Sequence, residues 1–180
     1  HLIFDLDETL VHLILPWNIL IDRIDNKLKE MDKSLYDQVP REGYFLSALE
    51  NAYVKKYGKK AKDFFIKYRV EFETELLDTK INYELVDFVK GLKGYKFYIW
   101  SSNTQQTVKN ALKKIKLEKK FEKIIADQDV ALLKPEIEGF NKIYDSKIPR
   151  DKYLLIGDSQ SDEEAAKNSG IDFYYVDYFK

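Results

Sequence analysis

The sequence predicts an α/β protein: a Rossmann-like parallel sheet core with helices on both faces, plus a small α-helical cap. Three observations carry this prediction. From Ile81 onward, short apolar runs alternate with stretches of three/four apolar spacing, the pattern of parallel strands joined by crossover helices. Leu2–Leu6 is a short, largely apolar run, as in a strand buried on both faces. Between these regions, about Val11 to Thr79, the spacing is helical. Residues 1–10 and 80–180 are therefore expected to form the core, and 11–79 an inserted cap.

Within the insert, Trp17, Leu20, Ile21, Ile24, Leu28 and Met31 follow one helical stripe, with Pro16 near its start. Phe45, Ala48, Leu49 and Ala52 make a second stripe. Ala61, Phe64, Phe65, Tyr68, Phe72 and Leu76 make a third. Residues 32–43, with Pro40 and Gly43, read as a connecting loop. In the core, Leu85, Phe88, Val89 and Leu92 form a helix that ends at Gly91 to Gly94, and Lys96–Trp100 a strand. Val108, Ala111, Leu112 and Ile115 give the next helix, Lys123–Ala126 a short strand, and Ile137–Tyr144 a helix. Tyr153–Ile156 is a strand stopped by Gly157, Ser161–Ser169 a helix stopped by Gly170, and Phe173–Val176 a last strand.

Composition narrows the chemistry. The chain has 180 residues, 44% hydrophobic and 34% charged, as expected of a folded and highly charged globule. Lys plus Arg (30) nearly balance Asp plus Glu (31), so no basic field draws nucleic acid or membrane, and neither is expected as a partner. Zero cysteines exclude disulfides, thiol nucleophiles and thiolate metal sites. Two histidines, His1 and His12, are too few for a His-rich metal site. No apolar stretch is long enough to span a membrane and no signal peptide is visible, so a cytoplasmic location is expected. His1 already lies in a strand pattern, so a few residues are expected to precede it.

In open parallel sheets, ligands bind at the carboxyl ends of the strands. Here strand one empties into Asp5, Asp7 and Thr9, and strand two into Ser101-Ser102-Asn103. A short loop after strand three brings Lys134-Pro135, and strand four leads to Asp158 and then Asp162. Asp5, Asp7 and Asp158 packed on one rim would repel one another and raise their pKa values. A hard divalent cation relieves that repulsion, and an oxygen-only set favours Mg²⁺ over zinc. Lys134, the Ser101 hydroxyl and backbone N–H groups of Ser102 and Asn103 are what a phosphate dianion requires nearby. An aspartate can attack phosphorus, and Asp5 at the strand end is the better nucleophile candidate. Asp7 points the same way if the chain stays extended, and is placed to move the proton.

These segments resemble the four motifs of the haloacid dehalogenase superfamily, in order. They are Phe4-Asp5-Leu6-Asp7-Glu8-Thr9-Leu10, Tyr98-Ile99-Trp100-Ser101, Leu133-Lys134-Pro135, and Ile156-Gly157-Asp158-Ser159-Gln160-Ser161-Asp162. The resemblance implies a phosphatase-type hydrolase using Mg²⁺ on a small phosphorylated substrate. It implies that Asp5 is the nucleophile and a metal ligand. Asp7 would be the general acid/base and give its backbone carbonyl to the metal. Ser101 and Lys134 would hold the phosphate with the Ser102 amide, and Asp158 would bind metal. Asp162 would support the metal waters or the lysine, and Thr9 would position Asp7. Asn103 would either contact phosphate or cap a helix. An insert directly after the first motif is similar to the superfamily's helical cap type. Many relatives carry glycine where this chain has Glu8.

The resemblance leaves alternatives. A sugar-phosphate phosphomutase would use the same core, and a non-catalytic phosphate-binding or regulatory module would keep the fold. A dehalogenase does not need Asp7. The first motif also looks like that of phosphatases acting on the RNA polymerase tail, which lack this insert and carry adjacent aspartates in motif four. Among the remaining polar residues, Arg41 and Arg69 either meet an anionic substrate or, the favoured reading, lie on solvated helix faces; Asp127 and Asp129, near the rim, read as loop caps; and His12 either faces the site from the cap hinge or, the favoured reading, is packed or on the surface. Tyr44, Phe45 and Trp17 either shape a pocket or pack in the core. A monomer or weak dimer is expected.

Overall fold

The computed structural model describes every residue except Glu42, Gly43, Leu76 and Leu77, and all side chains but those four and Trp17 and Asn18. Five strands form a parallel sheet: β1 (Leu2–Phe4), β4 (Phe97–Trp100), β5 (Lys123–Ile125), β6 (Leu154–Gly157) and β7 (Asp172–Tyr175). Their spatial order is β5-β4-β1-β6-β7, so β1 is central. Leu2 pairs with Phe97 on one side and Leu154 on the other.

Strand alternation sorts the core into two layers. Phe4, Phe97, Ile99 and Ile156 join one buried cluster with Val86 and Val89 of helix α4 (Tyr83–Gly91) and Val108, Ala111 and Leu112 of α5 (Gln105–Lys114). Ile3, Tyr98, Trp100 and Leu155 join the other, with Phe140 and Ile143 of α6 (Glu138–Ile143) and Ala165 and Ala166 of α7 (Gln160–Ser169). Neighbouring strand residues thus meet helices on opposite faces, which is why these strands read as unbroken apolar runs.

The insert holds α1 (Trp17–Gln38), α2 (Phe45–Tyr57) and α3 (Lys59–Glu73). Leu28, Leu49, Tyr53 and Phe72 are all essentially inaccessible in its interior. Two features depart from expectation. Val11–Ile14 and Asp78–Ile81 are not helical: they form strands β2 and β3, an antiparallel ribbon joining insert to core. The buried Val11, Leu13 and Leu15 follow period two, a strand signal inside a region otherwise of helical spacing. The expected loop over 32–43 is also mostly helix. Only Asp32 breaks α1, and its Oδ1 accepts the Leu35 amide at 3.0 Å, capping the turn that follows. Among the described residues, no helix is long and apolar enough to cross a membrane.

Candidate active site

The central strand and its neighbours deliver the site. Asp5 follows β1, and its amide donates to Ile156 O at 2.9 Å. Ser101 follows β4 and Asp158 follows β6, so all three leave the sheet at its carboxyl end. Carboxylate oxygens of Asp5, Asp158 and Asp162 lie within 4.8 Å of one another, and all three residues are buried. Lys134 reaches into this cluster from the loop beyond β5. Its Nζ donates to Asp5 Oδ1 at 2.7 Å and also to Asp162 Oδ1.

Three buried carboxylates face one buried ammonium. Burial pushes Asp5 up to about 7, with repulsion from Asp162 and Asp158 working against the pull of Lys134. Burial and the Asp162 charge raise Asp158 to about 6. Burial alone would depress Lys134, but Asp162 and Asp5 hold it above the ordinary lysine range. The excess negative charge and the all-oxygen donor set fit a hard divalent cation, with Asp5 and Asp158 as the carboxylates to hold it. Lys180 comes within 3.5 Å of Asp158, but its side chain is half exposed and only partly offsets that charge.

Gly157 explains how Asp162 gets there. A Cβ at residue 157 would meet Asp162 Cγ at 2.6 Å, so the glycine leaves room for the aspartate to fold back from α7. Asp162 Oδ2 accepts the Ser159 amide at 3.1 Å, which makes it a capping residue of α7 and a partner of Lys134 at once. Ser101 Oγ donates to Asn103 Oδ1 at 3.0 Å and accepts the Asn103 amide at 3.2 Å. Ser102 is half-buried in the same bend. The helix cap proper is Thr104, whose side chain accepts the Thr107 amide.

Asp7 does not join the three-carboxylate cluster. Its Oδ1 accepts the Leu13 amide of β2 at 2.7 Å and the Glu8 amide at 3.1 Å, and burial raises it well above the usual carboxylate range. Its oxygens instead neighbour Glu8 and His12. Thr9 is fully buried, its hydroxyl has no hydrogen-bond partner among the described residues, and its carbonyl accepts from Asn82 Nδ2 at 3.0 Å.

A family model described as haloacid dehalogenase-like hydrolase matches residues 2–176. The chain belongs to this family. Pyrophosphatase PpaX of Bacillus cereus (strain Q1) is 30% identical over 178 residues, covering 93% of this chain and 78% of that protein. The fold is similar to a haloacid dehalogenase-like hydrolase from Bacteroides fragilis, with a TM-score of 0.66 at 22% identity over 98% of this chain and 87% of that one. It is also similar to YfnB from Bacillus subtilis, a HAD-hydrolase bound to magnesium, with a TM-score of 0.57 at 22% identity over 97% of this chain and 85% of that one.

In this hydrolase the insert grips the core through side chains that sequence reasoning misjudged or passed over. Arg69 was expected on a solvated face, but it is buried. Its guanidinium meets Glu50 Oε2 at 2.5 Å, and its Nε lies 3.0 Å from Asp127 Oδ2. Asp127 is a fully buried partner rather than a simple loop cap, and Lys62 bridges it to Glu50. The four charges balance, as burial requires. Glu73 of α3 accepts the Thr104 amide at 3.0 Å and lies 3.3 Å from Asn103 Nδ2. Asn51 of α2 pairs with the Leu133 backbone. Tyr44 donates to Glu164 at 2.6 Å, and Phe45 packs edge-on against Tyr36. Arg41 is exposed, with its guanidinium over Tyr36 and Phe45. Asp129 caps its loop through the Ala126 amide, and half-buried His12 pairs with Glu8. The Trp17 side chain lies outside the described residues.

Proposed function

We propose that this protein is a Mg²⁺-dependent phosphomonoester hydrolase acting on a small phosphorylated metabolite through an aspartyl-phosphate intermediate. One observation carries the reading: a single buried lysine shared by Asp5 and Asp162, beside Asp158, at the carboxyl end of the central strands. Mg²⁺ bound by Asp5 and Asp158 supplies the charge neutralisation that lets an anionic nucleophile approach an anionic phosphate. Asp5 attacks phosphorus, the P–O bond to the leaving group breaks, and Asp7 gives the departing oxygen its proton. Asp7 then takes a proton from the water that attacks the aspartyl phosphate, releasing inorganic phosphate and free Asp5. Burial favours the protonated form of Asp7, the form a general acid needs. Lys134, Ser101 and the Ser102 amide hold the phosphoryl oxygens, with Asn103 orienting the Ser101 hydroxyl. The insert α1–α3 acts as the cap that covers the leaving group and keeps out bulk water. A cytoplasmic location and a monomeric or weakly dimeric state belong to the same proposal.

Hydrolysis of p-nitrophenyl phosphate and a panel of phosphorylated metabolites, with Mg²⁺ or with EDTA, tests this reading. Activity should require Mg²⁺ and vanish in Asp5→Asn. Activity that survives either EDTA or that substitution sinks it. The similarity to the Bacillus pyrophosphatases supports a second reading, a phosphoanhydride substrate, so pyrophosphate belongs in the panel.

A further inference from the structure

Asn51 occupies an unusual place. It lies on α2 of the insert and is 6% exposed, yet its side chain is spent on the core. Its Nδ2 donates to Leu133 O at 2.8 Å and its Oδ1 accepts the Leu133 amide at 2.8 Å. A carboxamide that meets both groups of one residue is a strand-like pairing made by a side chain. It fixes the direction of the main chain there as well as its position. Leu133 immediately precedes Lys134. The neighbouring amides, Ala131 and Leu132, are both held by Glu138 Oε2, at 2.9 and 3.1 Å. The loop that presents the phosphate lysine is therefore fastened at one end by a core side chain and at the other by the insert.

We propose that Asn51 is a positioning residue: it sets the Leu133 backbone, and through it the Lys134 ammonium, so that the phosphate-binding end of the site is complete only when the insert is seated. This rests on the reading of Lys134 as the phosphate-binding lysine. The metal-binding end is built otherwise. Asp5 and Asp158 leave β1 and β6, strands held by the sheet ladder, and neither depends on α2. Asn51 should therefore weigh far more on anion affinity than on cation affinity, which Lys134 reaches only through its contact with Asp5. Coupling is reciprocal, so an anion held by Lys134 should also tighten the Asn51–Leu133 pair.

The test compares wild type with Asn51→Ala and with Tyr44→Phe, which removes an insert–core hydrogen bond that does not involve the lysine loop. Inhibition by orthovanadate reports the anion site, half-activation by Mg²⁺ reports the cation site, and thermal unfolding reports integrity. Asn51→Ala should weaken orthovanadate roughly tenfold or more and raise KM, with the Mg²⁺ requirement within about twofold of wild type. Tyr44→Phe should change orthovanadate inhibition by less than about twofold. Equal weakening in both variants, or a parallel loss of Mg²⁺ affinity, would reduce Asn51 to a general fastener and overturn the proposal. Wild-type protein gives an independent measurement that no folding defect can obscure: orthovanadate should slow hydrogen exchange at the Leu133 amide, and unchanged exchange overturns the proposal. Wild type that neither releases phosphate with Mg²⁺ nor binds orthovanadate overturns the phosphatase reading and this proposal together. An active wild type with an unaltered Asn51→Ala overturns this proposal alone.

Discussion

Asp162 Cγ lies where a side chain on residue 157 would have to begin, 2.6 Å from an ideal Cβ. Gly157→Ala therefore forces Asp162 or the end of β6 to move, and Asp162 is one of the two carboxylates that hold Lys134. Overpacking of this kind costs ~1–3 kcal/mol. The expected outcome is a loss of that size in urea unfolding together with a rise in KM for phosphorylated substrates. Full stability with full activity would show that the glycine is not needed for this approach.

The crowded carboxylates set a pH dependence. Asp5 at about 7 and Asp158 at about 6 bind protons more tightly in the folded than in the unfolded chain. In metal-free protein their contribution favours folding at low pH and is lost as pH rises through those values, because the unfolded state then binds fewer protons. Thermal midpoints in EDTA should fall between about pH 5 and pH 8. Mg²⁺ should raise the midpoint more at pH 8 than at pH 5, since a cation competes with those protons. Equal Mg²⁺ stabilisation at both pH values would contradict a site built on these two groups.

The buried quartet makes a separate demand on stability. Glu50, Lys62, Arg69 and Asp127 neutralise one another out of contact with water. Asp127→Asn leaves an uncompensated buried positive charge and should destabilise the protein by ~3–5 kcal/mol. Glu50→Gln should do the same, and the two losses should not add, because each removes a partner of the same two cations. Urea unfolding of the single and double variants measures the coupling, and additive losses would argue against a shared network.

Glu8 sits at φ 58°, in the left-handed region that favours glycine. Its contact with His12 is partly exposed and worth little. Glu8→Gly is expected to be neutral or stabilising by up to ~1 kcal/mol, as relief of backbone strain offsets the lost pair. A clear loss of stability in chemical denaturation would mean that the Glu8–His12 contact matters more than the strain.

Much of the fold and part of the site were legible because they follow strand ends. Asp5, Ser101 and Asp158 each terminate an apolar run, and alternation of run and helix fixes where such ends gather. The insert–core grip was not legible. Lys62, Arg69 and Glu73 are spaced seven and four apart on α3, a stripe flanking the buried Ala61, Phe65 and Phe72. Charged stripes are usually wet faces, and only the partners Glu50, Asp127, Asn103 and Thr104, distant in sequence, turn this one inward. The surroundings of Asp7 were hidden for a related reason. The expectation that it points with Asp5 assumed an extended chain, whereas the turn after Leu6 hands its carboxylate to Leu13. The ribbon β2–β3 hid in the same place, its period-two residues too few to stand out against the helices that follow.

The order of the strands bears on how the active protein comes into being. β1 is early in the sequence but lies between β4 and β6, whose pairing residues Phe97 and Leu154 come much later. One edge stays open until β4 has been made and the other until β6 has, and closing such distant pairs is slow. The carboxylates of Asp5 and Asp158 meet only at that last step. A chain interrupted before residue 154 thus lacks Asp158 and Asp162, two of the three clustered carboxylates, so the acidic cluster assembles with β6 and never in part.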